Sequence, residues 1–212
     1  FVMFSLFSLY KIYFLDNKKK YKYFFLLGVM LAINIDIEIF WGVLFTISVL
    51  VSLLTLYYKK IKVKHIIYFI AGGLIIVSPR IVFEFKHNFL MTKSFIAFLF
   101  NKNSTEDPLT FIQVLENRIF TFGDQFSSSL TFNNQLVALV VIILGLGVLI
   151  MFYKNSSEII KKFIFTLLTT LVVFSISTNI FSRALWPHYL VGLPVIYIFL
   201  FVISLYLLAK RL

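Results

Sequence analysis

Apolar positions in this chain come in long unbroken runs, at residues 1–14, 23–58, 66–79, 136–153, 163–180 and 189–209. Runs of this kind predict helices that are apolar all round, the pattern of membrane spans rather than of a soluble core. The second run is too long for one crossing. Its 36 residues would extend about 54 Å as a single helix, against about 30 Å of hydrocarbon. Its middle reads Asn34-Ile35-Asp36-Ile37-Glu38, and a carboxylate held at mid-membrane costs roughly 2.5–3.5 kcal/mol on insertion scales. Two helices turning at Asp36 and Glu38 relieve both problems, which makes seven crossings. The first arm of that hairpin is short, about 20 Å, so it needs little tilt or a locally thin bilayer.

The expected fold is therefore all-α and polytopic, in three parts. Residues 1–79 hold transmembrane helices with an acidic hairpin apex at 34–38, residues 80–134 an extracytoplasmic segment, and residues 135–212 three C-terminal transmembrane helices. The middle segment stays rich in Phe, Leu and Ile, so it is expected to lie on the membrane. FLMTKSFIAFLF, residues 89–100, suits a helix at the interface. Asp107-Pro108 reads as an N-cap with proline at the first helical position, followed by Phe111, Leu115, Ile119 and Phe122 at helical spacing. Gly123-Asp124 and Ser127-Ser128-Ser129 read as loop. Gly72-Gly73, Gly145 and Gly147 are expected to pack helices together, and Pro194 to kink the last one.

Composition agrees with the pattern. The 212 residues are 60% hydrophobic and 19% aromatic with only 14% charged, and there is no Cys, which excludes disulfides, thiolate metal sites and cysteine nucleophiles. The net charge of +11 would suggest nucleic acid on a soluble chain, but here it sorts with topology. With Phe1 outside, the inner loops carry 14 Lys or Arg and the outer segments six, while only Asp16 and Glu158 among the nine acids lie inside. The positive-inside rule accounts for the whole excess, and nucleic acid is not an expected partner. The chain starts within an apolar run, without the charged leader of a signal peptide. It is read as the C-terminal part of a longer multi-pass protein of a bacterial plasma membrane, its Phe, Ile, Lys and Asn bias suggesting an AT-rich genome.

Two polar clusters fall at the outer ends of crossings: Pro79-Arg80 through Glu84, Lys86, His87 and Asn88, and Arg183 through Trp186, Pro187, His188 and Tyr189. With Asp36 and Glu38 they make a candidate cavity at headgroup level, suited to a substrate with an anionic head and a lipid tail. Arginine binds phosphate oxygens in bidentate fashion, and a carboxylate can accept a proton or help hold a divalent cation. Taken singly, Arg80 and Lys86 also read as headgroup anchors, and Trp186 with Tyr189 as an aromatic belt. An acidic pair inside an apolar run is harder to assign to anchoring, because it needs water or a partner. Asn103-Ser104-Thr105 fits the short glycosylation tripeptide on the outer side.

The run PRIVFEFKHNFLMTKSFIAFL, which closes one crossing and enters an outer helix, resembles the corresponding run of bacterial membrane glycosyltransferases of the GT-C superfamily, of the protein O-mannosyltransferase-like, family 39 type. WPHYLVGLPVIYIFLFVISLYLLA is similar to their late crossing, and KKKYKYFFLLGVMLAINIDIEIFWGVLF to their basic loop, Gly-x-x-x-Ala helix and polar apex. The resemblance implies transfer of a sugar from a polyprenyl-phosphate donor to an acceptor on the extracytoplasmic face, often with a divalent metal ion. It places Arg80, Glu84 and His87 in the family's polar run and Arg183, His188 and Tyr189 in its late outer loop, with Asp36 and Glu38 as secondary polar contacts to sugar or metal. The family's catalytic carboxylate belongs to a first outer loop that would precede Phe1, so this stretch alone is expected to be inactive. The partners implied are the polyprenyl-linked sugar and membrane lipid. The rival readings are a lipid-linked oligosaccharide flippase or other transporter, and an O-antigen polymerase or ligase. Transport is disfavoured because the polar residues gather at one face rather than at the bilayer midplane, and fold-level analogy alone does not fix function.

Overall fold

The computed structural model of the protein describes residues 1–14, 20–100, 110–180 and 187–210. Among these residues there is no strand, and nine α-helices follow one another: α1 (Val2–Phe14), α2 (Lys20–Ile37), α3 (Ile39–Tyr57), α4 (Val63–Lys86), α5 (Leu90–Phe100), α6 (Phe111–Leu130), α7 (Gln135–Tyr153), α8 (Glu158–Ile180) and α9 (Leu193–Ala209). Short 3-10 turns occupy Tyr58–Lys60 and Pro187–Leu190. Four stretches, Ile39–Lys60, Val63–Lys86, Gln135–Tyr153 and Glu158–Ile180, are long and apolar enough to cross a membrane, and α1 and α9 are shorter apolar helices. The protein is an all-α integral membrane protein.

The long second apolar run breaks at one residue. Glu38 leaves the helical conformation (φ −144°, ψ 102°) between α2 and α3, and the two helices fold back on each other. At the far end of the pair the Lys20 ammonium donates to the Tyr57 hydroxyl. Next to the apex, Gly42 lies so close to Ile35 that an added Cβ would sit 2.4 Å from its Cα. Helices α1 and α8 pack on this hairpin, with the Tyr13 and Thr166 hydroxyls 3.3 Å apart. The core between them centres on Trp41, Phe45 and Phe174, all nearly or fully buried. Gly192, just before α9, is seated against the Trp41 ring and has no room for a side chain.

Helix α4 runs parallel to α2. Phe24 stacks on His65 (4.7 Å between ring centroids), and further along the seam Gly28 faces the Phe69 carbonyl while Gly72 faces the Phe25 carbonyl. A Cβ on either glycine would come within 2.1 or 2.2 Å of the opposing carbonyl oxygen, respectively. Only glycine allows two backbones this close, the packing that small residues provide between membrane helices.

Three expectations need correction. The crossing expected to close at Pro79 continues to Lys86. Proline removes the amide that would bond to the Ile75 carbonyl, and the Ser78 hydroxyl donates to that carbonyl instead (3.1 Å). Gly123-Asp124 and the three serines do not form a loop but extend α6 to Leu130. The Ser128 and Ser129 hydroxyls bond back to the Gln125 carbonyl, so they spare the backbone, and Phe122 and Phe126 pack against the core. Pro194 starts α9 rather than kinking it, in the first turn where no intrahelical amide bond is lost.

Other expectations meet the structure partly or lie beyond it. Asp107-Pro108 and the Asn103 tripeptide lie outside the described residues, and α6 opens at a Thr110–Gln113 capping box. Gly145 touches α9 through the Ser204 hydroxyl (3.4 Å), whereas a Cβ on Gly147 would meet nothing within 4 Å.

The seam yields a direct test. Gly28→Ala and Gly72→Ala should each destabilise the folded protein by about 1–3 kcal/mol through overpacking, seen as a lower midpoint for thermal unfolding in detergent, while Gly147→Ala should be close to neutral.

Candidate functional site

The parallel register of α2 and α4 places Arg80 beside the hairpin apex. Its Nη1 lies 3.3 Å from Asp36 Oδ1, with side-chain exposures of 24% for Arg80 and 56% for Asp36. One turn further along α4, Glu84 lies within the electrostatic reach of Arg80. Helix α4 has 24 residues and is about 36 Å long, more than the roughly 30 Å of hydrocarbon. Arg80, Glu84 and Lys86 therefore fall at the rim.

Glu84 is 7% exposed, and its charge is held by backbone amides. Met91 N donates to Oε1 (3.0 Å) and Thr92 N to Oε2 (3.1 Å), so the carboxylate closes the N-terminus of α5. That reach requires the chain to turn back sharply after α4. Asn88 (φ 53°) and Phe89 (φ 60°) are both left-handed, and Phe89 N returns to the Glu84 carbonyl (2.8 Å). Asparagine tolerates this region, whereas for phenylalanine it costs roughly 1–2 kcal/mol. His87 is the C-cap of α4, exposed and with its ring 4.2 Å from that of Phe83.

The two apex carboxylates serve different neighbours. Asp36 turns to α4, while the charge of Glu38 acts on Tyr189 in the 3-10 turn before α9. The Tyr189 ring lies 5.2 Å from Phe40. Burial, and then the negative charge of Glu38, push the Tyr189 phenol above its ordinary range. His188 belongs to the same turn, and Arg183 lies outside the described residues.

Of the residues that the sequence proposes, the structure thus brings Asp36, Arg80 and Glu84 into one group and Glu38 and Tyr189 into an adjoining one, with His87 exposed at the C-cap of α4. Among the described residues no three His, Asp or Glu side chains gather as a metal site. Asp36 is paired with Arg80 and Glu84 accepts from two amides, and no chemical step is assigned to a metal ion. Comparison of the chain with protein-family models, curated proteins and solved structures gives no match.

One residue was missed by the sequence reading. Arg118 is 1% exposed, and its Nε donates to the Thr178 carbonyl near the C-terminal end of α8 (3.1 Å). Its charge alone places it among the expected outer residues, yet it shares helical spacing with Leu115 and Phe122, and a charge within an apolar stripe is a signal in itself.

Two measurements check this geometry. Glu84→Gln should weaken the tie to α5 by about 0.5–2 kcal/mol, the range for lost caps, and hydrogen exchange at the Met91 and Thr92 amides should quicken while α2 stays protected. The neutral Tyr189 phenol is favoured in the folded protein, so its contribution to stability is complete below the unfolded pKa of about 10 and is lost as pH rises through the higher folded value. Ultraviolet titration against a Tyr189→Phe reference should place its midpoint above that of a free phenol, and Glu38→Gln should lower it.

Proposed function

We propose that the protein is a seven-crossing membrane glycosyltransferase of the GT-C type in a bacterial plasma membrane, acting at its outer face on a polyprenyl-phosphate-linked sugar. The observation that carries this reading is the meeting of Asp36, Arg80 and Glu84 near the end of α4, with Glu38 and Tyr189 adjoining, at the end that the positive-inside rule assigns to the outer face. Acidic and basic groups from the hairpin, α4 and the turn before α9 lie where a lipid phosphate would sit.

The energetics favour exchange at Arg80. An ion pair with a half-exposed carboxylate contributes only about 0.2–1 kcal/mol, so a phosphate offering two oxygens to the guanidinium competes well with Asp36. In the reaction, the acceptor hydroxyl oxygen bonds to the anomeric carbon and the bond from that carbon to the phosphate oxygen breaks. The electron pair leaves with the polyprenyl phosphate, whose growing charge Arg80 stabilises. The hydroxyl proton passes to a general base, a role that the resemblance gives to a carboxylate in the family's first outer loop. Asp36, released from Arg80, and Glu38 are placed to accept hydrogen bonds from sugar hydroxyls, and Glu84 keeps the rim in shape by holding α5.

The test uses vesicles containing the full-length enzyme of which this stretch is read as the C-terminal part and a labelled polyprenyl-phosphate sugar, with release of polyprenyl phosphate and labelling of acceptor as readouts. Arg80→Gln should lower transfer roughly 10²-fold, the scale for loss of one stabilising donor, at unchanged protein level. Exchanging the pair, Asp36→Arg with Arg80→Asp, should restore thermal stability but not transfer. Movement of intact donor across the bilayer with no bond broken would point to a transporter instead.

A further inference from the structure

The end of the bundle opposite the hairpin apex carries a second concentration of charge. The link from α3 to α4 reads Tyr58-Lys59-Lys60-Ile61-Lys62-Val63-Lys64, and all four lysines are exposed. Like charges this close repel, and they meet no compensation among the described residues. Helix α4 has no acid in its first turn, and none of the four lysines lies within ion-pair distance of a carboxylate. The ammonium groups are nevertheless placed rather than loose. Lys59 lies over the Tyr58 ring (5.7 Å), and Lys64 over the rings of Tyr21 (4.8 Å) and Tyr68 (5.8 Å), which are 4.9 Å apart. The charges of Lys62 and Lys64, with that of Lys20 in α2, all reach the buried His65. Between Lys60 and Lys62 the backbone is extended at Ile61 (φ −76°, ψ 124°), whose side chain packs on the core, so the four lysines fall into two pairs.

What adjoins the lysines identifies the partner. Val63, Ile66, Ile67 and Ile70 follow at i, i+3, i+4 and i+7 on one face of α4, and all are exposed. The surface is thus cationic at one level and alkyl immediately beyond it, along the first turns of a helix long and apolar enough to cross a membrane. An acidic protein or a nucleic acid would meet the charge and leave the isoleucines uncovered, whereas a phospholipid covers both. Two ammonium pairs on one link match two phosphates on one ligand, since a single phosphate leaves much of the charge unmet. We propose that the α3–α4 link binds an anionic phospholipid with two phosphates in one head, of the cardiolipin kind, its phosphates at Lys59-Lys60 and Lys62-Lys64 and its acyl chains along the Ile66 face of α4. The positive-inside rule assigns this end to the inner leaflet. The surface lies at the other end of α4 from Arg80, and the proposal stands whether or not the glycosyltransferase reading does.

Native mass spectrometry of the delipidated full-length protein tests the assignment, with cardiolipin, phosphatidylglycerol at matched phosphate or phosphatidylcholine as titrant. One cardiolipin should be retained in preference to either of the others. Neutralising one pair, by Lys59→Gln with Lys60→Gln or by Lys62→Gln with Lys64→Gln, should weaken its binding about 30-fold, the scale of two lysines at an anionic membrane surface. Lys62→Arg with Lys64→Arg should retain it, and Lys93→Gln, on α5 beyond the other end of α4, should change nothing. The two pairs are tested independently, so loss of folding in one paired variant leaves the other decisive. Inorganic pyrophosphate should fail to displace the lipid, because it makes no contact with the α4 face. Retention no better than that of phosphatidylcholine, or unaltered by both paired variants, would overturn the proposal as bulk lipid contact. Equal retention of phosphatidylglycerol would overturn the match to two phosphates, and displacement by pyrophosphate the role of the chains. Tighter binding of a polyglutamate peptide than of cardiolipin would overturn the proposal in favour of an acidic protein partner.

Discussion

The close approach of α2 and α4 at Gly28 and Gly72 is the constraint on which the rim depends. The two helices run in the same direction, so contacts along the seam keep one register, with Phe24 on His65 and then Arg80 beside Asp36. Charge cannot set this register. A pair as exposed as Asp36 and Arg80 is worth at most about 1 kcal/mol, less than the cost of forcing side-chain atoms into the glycine contact. Sterics choose the alignment, and electrostatics then use it. A slip of one turn would move Arg80 about 5.4 Å along the axis and out of reach of Asp36.

The sequence shows some of this directly and hides the rest for identifiable reasons. A break between two helices was legible at Asp36 and Glu38 because two acids within an apolar run are costly wherever that run continues through lipid. Their separate allegiances follow from geometry, since Asp36 still belongs to α2 beside α4, whereas Glu38 has left the helical conformation at the start of α3. The tie from Glu84 to α5 was not legible. It requires two consecutive left-handed residues, one of them Phe89, and apolar residues give no warning of such a turn. Helix α6 was misread at 123–129 because glycine and serine signal loops by exposing backbone to water, whereas here the hydroxyls return to the helix's own carbonyls. Arg118 was visible but was counted with the topology charges, which shows how a rule about averages can absorb a single residue that is buried.

The two ends of the hairpin differ in their chemistry. At the apex end acids and an arginine meet across elements. At the opposite end lysines lie over tyrosine rings: Lys20 over Tyr57 (4.9 Å), Lys64 over Tyr21 (4.8 Å) and Lys162 over Tyr13 (5.9 Å). Such pairs let an ammonium rest on an aromatic face at the level of the headgroups.

Helix α4 buries only His65, Gly72 and Glu84, and its main partner among the described residues is α2. In mechanical terms it is a leaf hung on one line. The opposed glycines and carbonyls block sliding along that line and movement across it, but rotation about it is opposed, among the described residues, chiefly by the link through Glu84 to α5. Arg80 stands near the free end of the leaf, so a small rotation there changes its distance from Asp36 while the rest of the bundle keeps its packing.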